Sequence, residues 1–530
     1  MQLSKENLDN VKAAGTIKPA AAIFALPEKV LQFGTGVLLR GLPDYFIDKA
    51  NRQGIFNGRI VVVKSTDGGD AGAFDRQDGL YTLCVRGIGS ASDGDVARGD
   101  QAGHGQALRP GNGKVIVSEN IICSAISRVL SAKEQWAEIL QCAHNPEMQI
   151  IISNTTEVGI QLTEDNILST PPVSFPGKLL AFLYERYQAF KGSAESGMVI
   201  VPTELIVDNG KKLAAIIAEL VKINKLEDAF THWLNEHCRF CSSLVDRIVP
   251  GRPDAPATQK LQAELGYTDG LLSISEVYRL WAIEGDEKVQ SVLSFAKADP
   301  GVIIRPDIGI FRELKLRLLN GTHTLSCGLA FLAGFGTVKT AMDDPYFSSF
   351  LEDLMLKEIA PAIPYAIPLG AAKEFGLQVL DRFRNPYIQH QWISITMQYS
   401  SKMKMRDIPV LLRQYERHAE APPRFALGFA AYLLFMRAVK KEQQVYMGDS
   451  NGKPYPINDD KAGHFYQLWQ DHAPEALVEV VLKDKELWGA DLFQLKGFAK
   501  AVTQMLNTLM TKGAKTALAE SALVYKKNSL

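Results

Sequence analysis

The chain has 530 residues, of which 46% are hydrophobic and 22% are charged, and its formal net charge is −1 at pH 7. This length accommodates two or more domains with sizeable cores, and the balanced charge gives no basis for a nucleic-acid or acidic-membrane partner. The first 29 residues contain no signal-peptide core. The longest apolar run, residues 425–436, suits a buried helix rather than a membrane span. We therefore interpret the chain as a cytoplasmic globular protein.

The six cysteines do not form a disulfide framework typical of a secreted domain. Cys238 and Cys241 make a single Cys-x-x-Cys pair, without the second pair that a structural zinc site needs. We expect reduced, structural thiols and no metal.

A short apolar strand is predicted at residues 30–33, and it is followed by Gly34-Thr35-Gly36 and a helical pattern from residue 42. A strand, a Gly-x-Gly turn and a helix N-terminus together form a cradle for a pyrophosphate group. Leu39 stands where the third glycine of the Gly-x-Gly-x-x-Gly motif would be, so the motif alone is weak. An ordinary strand-to-helix turn is the alternative.

A second strand is predicted at residues 59–63, at the separation that a βαβ unit requires. A Rossmann fold that binds NAD usually has an Asp or Glu at the end of this strand, which holds the adenosine ribose. Here the strand ends at Lys64, a cation that would suit the 2′-phosphate of NADP. The residues alone therefore leave NAD and NADP both open.

Residues 87–113 are rich in glycine and polar residues, and we predict a long hairpin loop or flap. We interpret it as a surface insertion, with a substrate contact as the alternative. A further strand at residues 149–152 leads into Ser153 and a polar loop with Thr156 and Glu157. Doubly wound sheets bind cofactors at the carboxyl ends of such strands. We therefore predict cofactor contacts in this loop, with a helix N-cap at Thr156 as the alternative.

Residues 275–284 are interpreted as the connection between two halves of the chain. We predict a Rossmann-like, doubly wound α/β domain over residues 1–280 and a mostly α-helical domain over residues 281–530. Residues 446–462 within the second domain are rich in Gly, Asn and Pro, and a polar loop is predicted there.

Three polar residues interrupt the apolar helical pattern of residues 315–334. At roughly 100° per residue, Lys315, Asn320 and His323 fall near 0°, 140° and 80°, on one broad face. Singly, each has an ordinary structural explanation, such as a lysine that extends to solvent or a histidine satisfied in the core. Together they suggest chemistry, since burial shifts the pKa of a lysine towards values useful in acid–base catalysis.

The spacing Lys-x4-Asn-x2-His in residues 315–324 closely resembles the signature of the polyol-specific long-chain dehydrogenases, the mannitol dehydrogenase family. Shorter similarities are Q-F-G-x-G-x-x-x-R at residues 32–40, D-G-L-Y-T at 78–82, T-E-x-G at 156–159, V-D-R-I at 245–248 and R-F-x-N-P-x-I at 382–388. The resemblance extends from residue 34 to at least residue 409.

This resemblance implies metal-independent hydride transfer with NAD as cofactor. It assigns Lys315 as general acid and base, Asn320 as the donor to the oxyanion, and His323 to orienting the substrate or tuning Lys315. With the positions discussed above, the predicted cofactor site comprises Gln32, Phe33, Gly34, Thr35, Gly36, Arg40, Lys64, Ser153, Thr156 and Glu157.

The predicted substrate contacts are Glu204, Asp246, Arg384 and His390. Glu204 stands near the place of an Asn that contributes to the oxyanion site of mannitol dehydrogenases, and an ionised carboxylate cannot donate a hydrogen bond. Its role therefore differs, or another donor substitutes. The Glu-Leu-Ile sequence at residues 204–206 is typical of the tagaturonate reductase branch.

Arg384 and His390 replace a small residue and an acid of the mannitol dehydrogenases, and two basic groups would suit a substrate carboxylate. A surface ion pair is an equally good explanation. We predict interconversion of D-tagaturonate and D-altronate, with a small-molecule hexuronate as the partner. Fructuronate reductase, a neutral-polyol dehydrogenase and a non-catalytic dinucleotide-binding protein stay open as alternatives, and the sequence leaves the oligomeric state unspecified.

Overall fold

A computed structural model describes residues 1–65, 71–90, 114–156 and 158–528, and the chain divides into two units, Met1–Ile308 and Gly309–Leu530. The predicted boundary at residues 280/281 is therefore too early. The segment 281–308 belongs to the first unit because its strands complete a sheet there, as described below.

The first unit contains thirteen strands within the described residues, together with nine α-helices. The strands are β1 (Thr16–Ile17), β2 (Glu28–Phe33), β3 (Arg59–Lys64), β4 (Tyr81–Ser90), β5 (Lys114–Cys123), β6 (Ile126–Ser131), β7 (Ile150–Ser153), β8 (Val199–Pro202), β9 (Arg239–Phe240), β10 (Ser243–Asp246), β11 (Ser273–Glu276), β12 (Leu280–Glu284) and β13 (Val302–Arg305). The helices are α1 (Val37–Gly41), α2 (Pro43–Arg52), α3 (Ala71–Arg76), α4 (Trp136–Gln141), α5 (Phe175–Ala189), α6 (Asn209–Ile223), α7 (Asp228–His237), α8 (Ala255–Leu265) and α9 (Glu287–Val292). Short 3₁₀ turns lie at Leu8–Asn10, Ala21–Ala25, Cys142–His144, Ala194–Ser196 and Ser294–Ala298.

Six of these strands form a parallel sheet in the order β6-β3-β2-β7-β8-β9. Numbered along the chain, this is the order 3-2-1-4-5-6 of the doubly wound Rossmann fold, so the predicted fold class is confirmed. The strand order reverses between β2 and β7, where Phe33 lies opposite Ser153. The carboxyl ends of these two strands therefore lie side by side.

The central strands are apolar on both faces, and alternate residues enter two separate cores. Val30, Ile60 and Ile150 pack in one core with residues of α1 and α2. Their chain neighbours Leu31 and Val61 pack in the other core, with residues of α5, α6 and α7. A parallel sheet covered by helices on both faces requires such continuous apolar runs.

A second sheet in this unit has the order β1-β5-β4-β11, and an antiparallel β4–β5 hairpin lies at its centre. Ser90 pairs with Lys114 at the end of the hairpin. Residues 87–90 are thus strand rather than loop, while the rest of the glycine-rich segment, residues 91–113, lies outside the described residues. The antiparallel pairing of β4 with β5 agrees with the hairpin that was predicted for this segment.

The third sheet of the first unit, β10-β12-β13, explains the position of the boundary. Strand β12 pairs antiparallel with β10 and parallel with β13. Strand β12 therefore hydrogen-bonds to a strand from earlier in the chain and carries β13 with it, and a division at residue 280 would break this sheet.

The second unit is mostly helical, as predicted. Its α-helices are α10 (Gly309–Leu314), α11 (Thr322–Leu332), α12 (Val338–Met342), α13 (Pro345–Asp353), α14 (Leu369–Phe383), α15 (Trp392–Ile395), α16 (Tyr399–Lys402), α17 (Ile408–Arg417), α18 (Pro423–Phe435), α19 (Ala462–Asp471), α20 (Pro474–Lys483), α21 (Lys485–Trp488), α22 (Phe498–Lys512) and α23 (Ala514–Asn528). Three π-helical segments join some of them, π1 (Lys315–Gly321), π2 (Leu354–Ile359) and π3 (Met403–Asp407), and 3₁₀ turns lie at Ala360–Ala362 and Leu492–Gln494.

Helix α18 contains most of the apolar run predicted to form a buried helix, and its side chains are largely buried. None of the helices in the described parts of the chain combines the length and apolar character needed to cross a membrane.

The second unit also contains an antiparallel meander of β14 (Ala438–Glu442), β15 (Val445–Ser450) and β16 (Lys453–Pro456). The prediction of a loop over residues 446–462 is thus wrong for its first half. Asn451 and Gly452 connect β15 to β16 with φ angles of 55° and 79°. An Asn-Gly pair with positive φ at both residues is the typical two-residue hairpin turn, and this sequence signal could have revealed the hairpin.

Candidate functional site

Gly34 lies at the carboxyl end of β2, where neighbouring segments approach too closely for a side chain. Its φ is +124°, and a Cβ atom would lie 2.9 Å from the carbonyl oxygen of Asn154 and 2.9 Å from Cδ1 of Leu39. Its N–H donates to the carbonyl oxygen of Val63 at 3.0 Å. The glycine thus allows the end of β2, the loop after β7 and helix α1 to meet at the point where the strand order reverses.

Thr35 and Gly36 complete this loop and are accessible. Thr35 is half-buried, and Gly36 is exposed and precedes the first residue of α1. A Cβ atom at Gly36 would meet nothing within 4 Å. The loop therefore has a close-packed base and an open surface at the start of a helix, which fits the pyrophosphate of a dinucleotide.

Two of the predicted cofactor residues support the loop from within the sheet. The Phe33 ring is fully buried and packs edge-on against Phe175 at 5.1 Å between centroids. The Gln32 side chain is also fully buried, and its Nε2 donates to the carbonyl oxygen of Gly34 at 3.4 Å. Both buried side chains therefore support the loop from the interior of the domain.

Arg40 is a third predicted cofactor residue whose side chain the structure buries. Its guanidinium donates to the carbonyl oxygen of Leu271 and lies near the rings of Phe74 and Tyr81. The Tyr81 hydroxyl in turn donates to the carbonyl oxygen of Arg40 at 2.7 Å. These contacts give Arg40 a packing role between α1 and the rest of the first unit.

Ser153 begins the loop after β7, and Glu204 holds this loop from the neighbouring strand end. The Glu204 carboxylate accepts hydrogen bonds from the Ser153 hydroxyl at 3.1 Å, the Thr155 N–H at 2.9 Å and the Thr155 hydroxyl at 3.0 Å. The Glu204 side chain is buried. Its two oxygens are therefore engaged with the predicted cofactor loop. The sequence predicted a substrate contact at Glu204, but it did not indicate these hydrogen bonds to Ser153 and Thr155.

The remaining predicted residues of the first unit lie at other strand ends. Lys64 ends β3, and Thr156 is exposed in the loop after β7. Glu157 lies outside the described residues. Asp246 is buried at the end of β10, next to Arg247, whose guanidinium donates to the carbonyl oxygen of Gly41 at 2.6 Å.

In the second unit, Lys315 and Asn320 lie in the π-helical segment π1, between α10 and α11. The sequence predicts a helix here, but with α-helical periodicity. A π-helix bonds residue i to residue i+5, so it brings Asn320 closer to alignment with Lys315 than an α-helix does. Short π segments inside α-helices are often found at functional sites.

The side chain of Arg317 fixes segment π1 to its neighbours. Arg317 donates to Glu313 at 2.9 Å and to the carbonyl oxygens of Met405 and Arg406, each at 2.7 Å. These two carbonyls belong to π3. The guanidinium of Arg317 thus ties the two π segments together.

His323 lies at the start of α11, and aromatic rings determine its orientation. Its imidazole stacks on Phe383 at 4.1 Å between centroids, and the rings of His390 and Trp392 meet it edge-on at 5.3 and 5.8 Å. Its Nε2 has no hydrogen-bond partner among the described residues. Burial, followed by the charges of His390, Arg382 and Arg406, holds the pKa of His323 well below 6.5. The imidazole is therefore neutral at physiological pH.

The structure separates the two predicted carboxylate contacts. His390 lies beside His323, and burial together with the Lys402 charge lowers its pKa. Arg384 instead donates to the Ser348 hydroxyl at 3.4 Å, and lies 3.7 Å from the Glu352 carboxylate, with about a third of its side chain exposed. This arrangement matches the alternative considered for Arg384, a surface ion pair.

Lys402 and Arg406 are basic residues near the histidines, and the sequence pattern assigned neither of them a role. Lys402 donates to the carbonyl oxygen of Ile395 at 3.1 Å. Arg406 donates to the Thr324 hydroxyl at 2.9 Å, and Thr324 donates to the carbonyl oxygen of Asn320 at 2.8 Å. Their four-residue spacing, which places two side chains on one face of a helix, is a signal that could have identified them.

Cys238 and Cys241 are buried free thiols. In the described ranges, no group of three or more His, Cys, Asp or Glu side chains is placed to hold a metal ion.

Two family models match this chain. The mannitol dehydrogenase Rossmann domain matches residues 116–296, and the mannitol dehydrogenase C-terminal domain matches residues 307–510. The second match begins close to the boundary between the two units.

Curated relatives cover nearly the whole chain. An altronate oxidoreductase of Pectobacterium carotovorum subsp. carotovorum is 37% identical over 500 residues, which are 93% of this chain and 96% of that protein. Altronate oxidoreductases of Yersinia enterocolitica and Escherichia coli are 36% and 34% identical, with the same coverage of both chains.

Two solved structures share the fold over almost their full length. Pseudomonas fluorescens mannitol 2-dehydrogenase, solved as a ternary complex with NAD and D-mannitol, superposes with a TM-score of 0.64 at 22% identity, and covers 98% of this chain and 99% of its own. A D-sorbitol dehydrogenase in substrate-free form superposes with a TM-score of 0.72 at 20% identity, and covers 98% and 100%. At these identities the likeness establishes the fold.

Both halves of the chain match the same family, and relatives above 30% identity extend over more than nine-tenths of it. The family predicted from the Lys-x4-Asn-x2-His signature is therefore confirmed: the chain belongs to the mannitol dehydrogenase family, oxidoreductases that act on CH–OH groups.

Proposed function

We propose that this chain is an NAD-dependent oxidoreductase that interconverts D-tagaturonate and D-altronate. The observation that carries the proposal is the similarity to altronate oxidoreductases, 34–37% identical over 93% of the chain. The Glu-Leu-Ile sequence at residues 204–206, which resembles that of tagaturonate reductases, supports the same branch of the family.

In this proposal, the loops after β2 and β7 hold NAD(H). Gly34 allows close approach of the backbone, Gly36 leaves the start of α1 open, and Glu204 keeps the Ser153–Thr155 loop in place. Bound NADH supplies a hydride to the keto carbon of the substrate. Lys64, at the end of β3, is the residue that would favour NADP instead, so both cofactors belong in the test.

In this proposal, residues of the second unit transfer the proton and stabilise the negative charge that develops on the substrate oxygen. The Lys315 ammonium donates a proton to the carbonyl oxygen during reduction, and its neutral amine accepts that proton during oxidation. The Asn320 amide donates to the developing oxyanion, an interaction often worth about 3 kcal/mol. The neutral imidazole of His323 orients a substrate hydroxyl, because its Nε2 has no protein partner among the described residues.

The substrate carboxylate is assigned to the basic side chains near these residues. His390 and Arg384 are the contacts proposed from the sequence, and the structure adds Lys402 and Arg406 as cations close to His390 and His323. Because Arg384 already lies beside Glu352, we expect Lys402 to contribute more to carboxylate binding than Arg384 does.

The proposal is tested by following the absorbance of reduced nicotinamide with a panel of substrates. The panel contains tagaturonate, fructuronate, fructose, altronate, mannonate and mannitol, each with NAD(H) and NADP(H). We expect oxidation of NADH with tagaturonate, and a loss of roughly a thousandfold or more in kcat in Lys315→Ala. Lys404→Ala, which removes an exposed lysine of π3, serves as the matched control.

Other outcomes reject defined parts of the proposal. Turnover of fructuronate but not tagaturonate would contradict the stereochemistry, and turnover of neutral sugars alone would contradict the carboxylate site. Lys402→Met is expected to raise KM for tagaturonate without changing KM for NADH, and Arg384→Met is expected to change it less. The reverse order would restore Arg384 as the main carboxylate contact.

A further inference from the structure

Gln32 and Asp44 form a fully buried polar pair directly beneath the Gly34–Gly36 loop. Nε2 of Gln32 donates to Oδ2 of Asp44 at 3.4 Å and to the carbonyl oxygen of Gly34 at 3.4 Å. The second oxygen of each group, Oε1 of Gln32 and Oδ1 of Asp44, has no hydrogen-bond partner among the described residues. The pair therefore contains two buried acceptors and lacks one donor.

A proton on Oδ1 of Asp44 would supply the missing donor. A carboxylic acid and a carboxamide can form a cyclic pair, in which N–H donates to one carboxyl oxygen and O–H donates to the amide oxygen. An ionised Asp44 would instead leave both acceptors unsatisfied and bury a charge, which is costly. Hydrogen-bond satisfaction therefore favours the neutral acid.

The surrounding charges do not compensate for an ionised Asp44. Burial raises the pKa of Asp44, the hydrogen bond from Gln32 and the Arg40 charge lower it, and Asp48 on the same helix raises it. The net result is a pKa of about 8. The Arg40 guanidinium is directed to the carbonyl oxygen of Leu271 rather than to the Asp44 carboxyl. Tyr81 of β4 and Cys123 of β5 also face Asp44, and burial keeps both neutral by raising their pKa values.

We propose that Asp44 is a positioning residue for the cofactor loop, held as a neutral carboxylic acid that donates to Gln32. The Gln32 side chain, thus fixed, donates to the carbonyl oxygen of Gly34 and maintains the loop conformation that NAD(H) requires. The inference rests on the proposed function, because it assumes that this loop binds NAD(H). Ionisation of Asp44 would remove the hydrogen bond that its O–H donates to Oε1 of Gln32, and it would place a negative charge beneath the pyrophosphate.

The test is a fluorescence titration of NADH binding to the full-length protein, without substrate, between pH 6 and pH 9.5. If binding requires the protonated acid, the wild-type Kd rises by about tenfold between pH 7 and pH 9, since its pKa of about 8 lies between them. In Asp44→Asn, the amide N–H replaces the carboxyl O–H at every pH. We therefore expect its Kd to match that of the wild type at pH 6 and to stay constant up to pH 9.5.

Two comparison variants keep the result interpretable. Gln32→Met removes the link to Gly34, so its Kd should be raised already at pH 6 and should change little with pH. Thermal unfolding of each variant at pH 6 verifies that it is folded. Asp44→Leu tests the same link if Gln32→Met does not fold, and it should likewise show a raised Kd without pH dependence.

Equal pH dependence in wild type and Asp44→Asn would overturn the inference, as would a wild-type Kd that is constant to pH 9.5. Absence of NADH binding at every pH would overturn both the inference and the cofactor assignment. NADH binding with the expected pH dependence, but without turnover of tagaturonate, would support the role of Asp44 and contradict only the proposed reaction.

Discussion

His323 is enclosed by the face of Phe383 and the edges of His390 and Trp392, so its imidazole has a defined orientation. Burial and cationic neighbours together disfavour its protonation. A neutral imidazole can accept or donate a hydrogen bond without adding positive charge. These contacts suit a residue that orients a hydroxyl group better than one that exchanges protons during the reaction.

We expect His323→Asn to lower kcat/KM for tagaturonate by about a hundredfold, because the shorter amide side chain does not place a hydrogen-bonding group where Nε2 lies in the wild type. The shape of the pH–rate profile between pH 6 and pH 8 should stay unchanged. The reason is the sign of the shift: a pKa well below 6.5 means that the imidazole has already lost its proton at pH 6. Steady-state kinetics across this range measures both effects.

The matched control is His144→Asn, which changes an exposed histidine paired with Glu185 and should leave the kinetics unaltered. A wild-type profile with an ionisation near pH 6.5 that disappears in His323→Asn would contradict the neutral state of this imidazole.

The loop after β7 owes its conformation to a side chain from the next strand of the sheet. Glu204 accepts three hydrogen bonds from Ser153 and Thr155, so the loop and the end of β8 form one hydrogen-bonded unit. A carboxylate suits this position because both of its oxygens accept. The same property makes it a poor substitute for the Asn that donates to an oxyanion in mannitol dehydrogenases.

We predict that Glu204→Gln raises KM for NADH by about tenfold, since the amide brings an N–H donor against groups that are themselves donors, at a cost of roughly 1–2 kcal/mol. KM for tagaturonate should change by less than about twofold. Steady-state kinetics with each substrate varied in turn separates the two values.

Glu219→Gln, at an exposed position of α6, is the control and should alter neither constant. A selective increase in KM for tagaturonate would instead support the substrate contact predicted from the sequence.

Segments π1 and π3 illustrate how one element determines the form of another. Arg317 contributes its guanidinium to two carbonyl groups of π3, and Arg406 of π3 donates to Thr324, just after π1. Each π segment thus supplies groups that hold the other. Because Lys315 and Asn320 lie in π1, this mutual support determines where the two proposed catalytic side chains are placed.

All six cysteines of the chain are buried free thiols distributed over both units. Burial raises the pKa of Cys84 to about 11, and those of Cys238, Cys241 and Cys327 to about 12. Reaction with disulfide reagents requires the thiolate and access to it, so the folded molecule provides neither. The prediction of reduced, structural thiols agrees with this arrangement.

We therefore expect less than about one equivalent of thiol to react with an aromatic disulfide reagent in the folded protein at pH 8. All six should react after unfolding in guanidinium chloride. The absorbance of the released thiolate measures both values. Rapid reaction of two or more thiols before unfolding would contradict the burial of these residues.

The sequence by itself determined the features that depend on short-range pattern. Apolar runs at residues 30–33, 59–63 and 149–152 were sufficient to predict the central parallel strands, because such a sheet must be apolar on both faces. The Lys-x4-Asn-x2-His spacing was sufficient to predict the family, which the full-length relatives confirm. The glycine-rich turn after the first of these strands also lies where it was predicted.

Only the tertiary structure decided the features that depend on partners distant in the chain. The π geometry at Lys315 and Asn320 accompanies hydrogen bonds from Arg317 to residues almost ninety positions away, which no local periodicity contains. The first unit extends to Ile308, beyond the predicted boundary at residue 280, because β12 pairs with both β10 and β13. Glu204 holds a loop some fifty residues earlier, and Arg384 lies beside Glu352. In each case the deciding contact joins segments that only folding brings together, so the sequence pattern could identify the residue but not its partner.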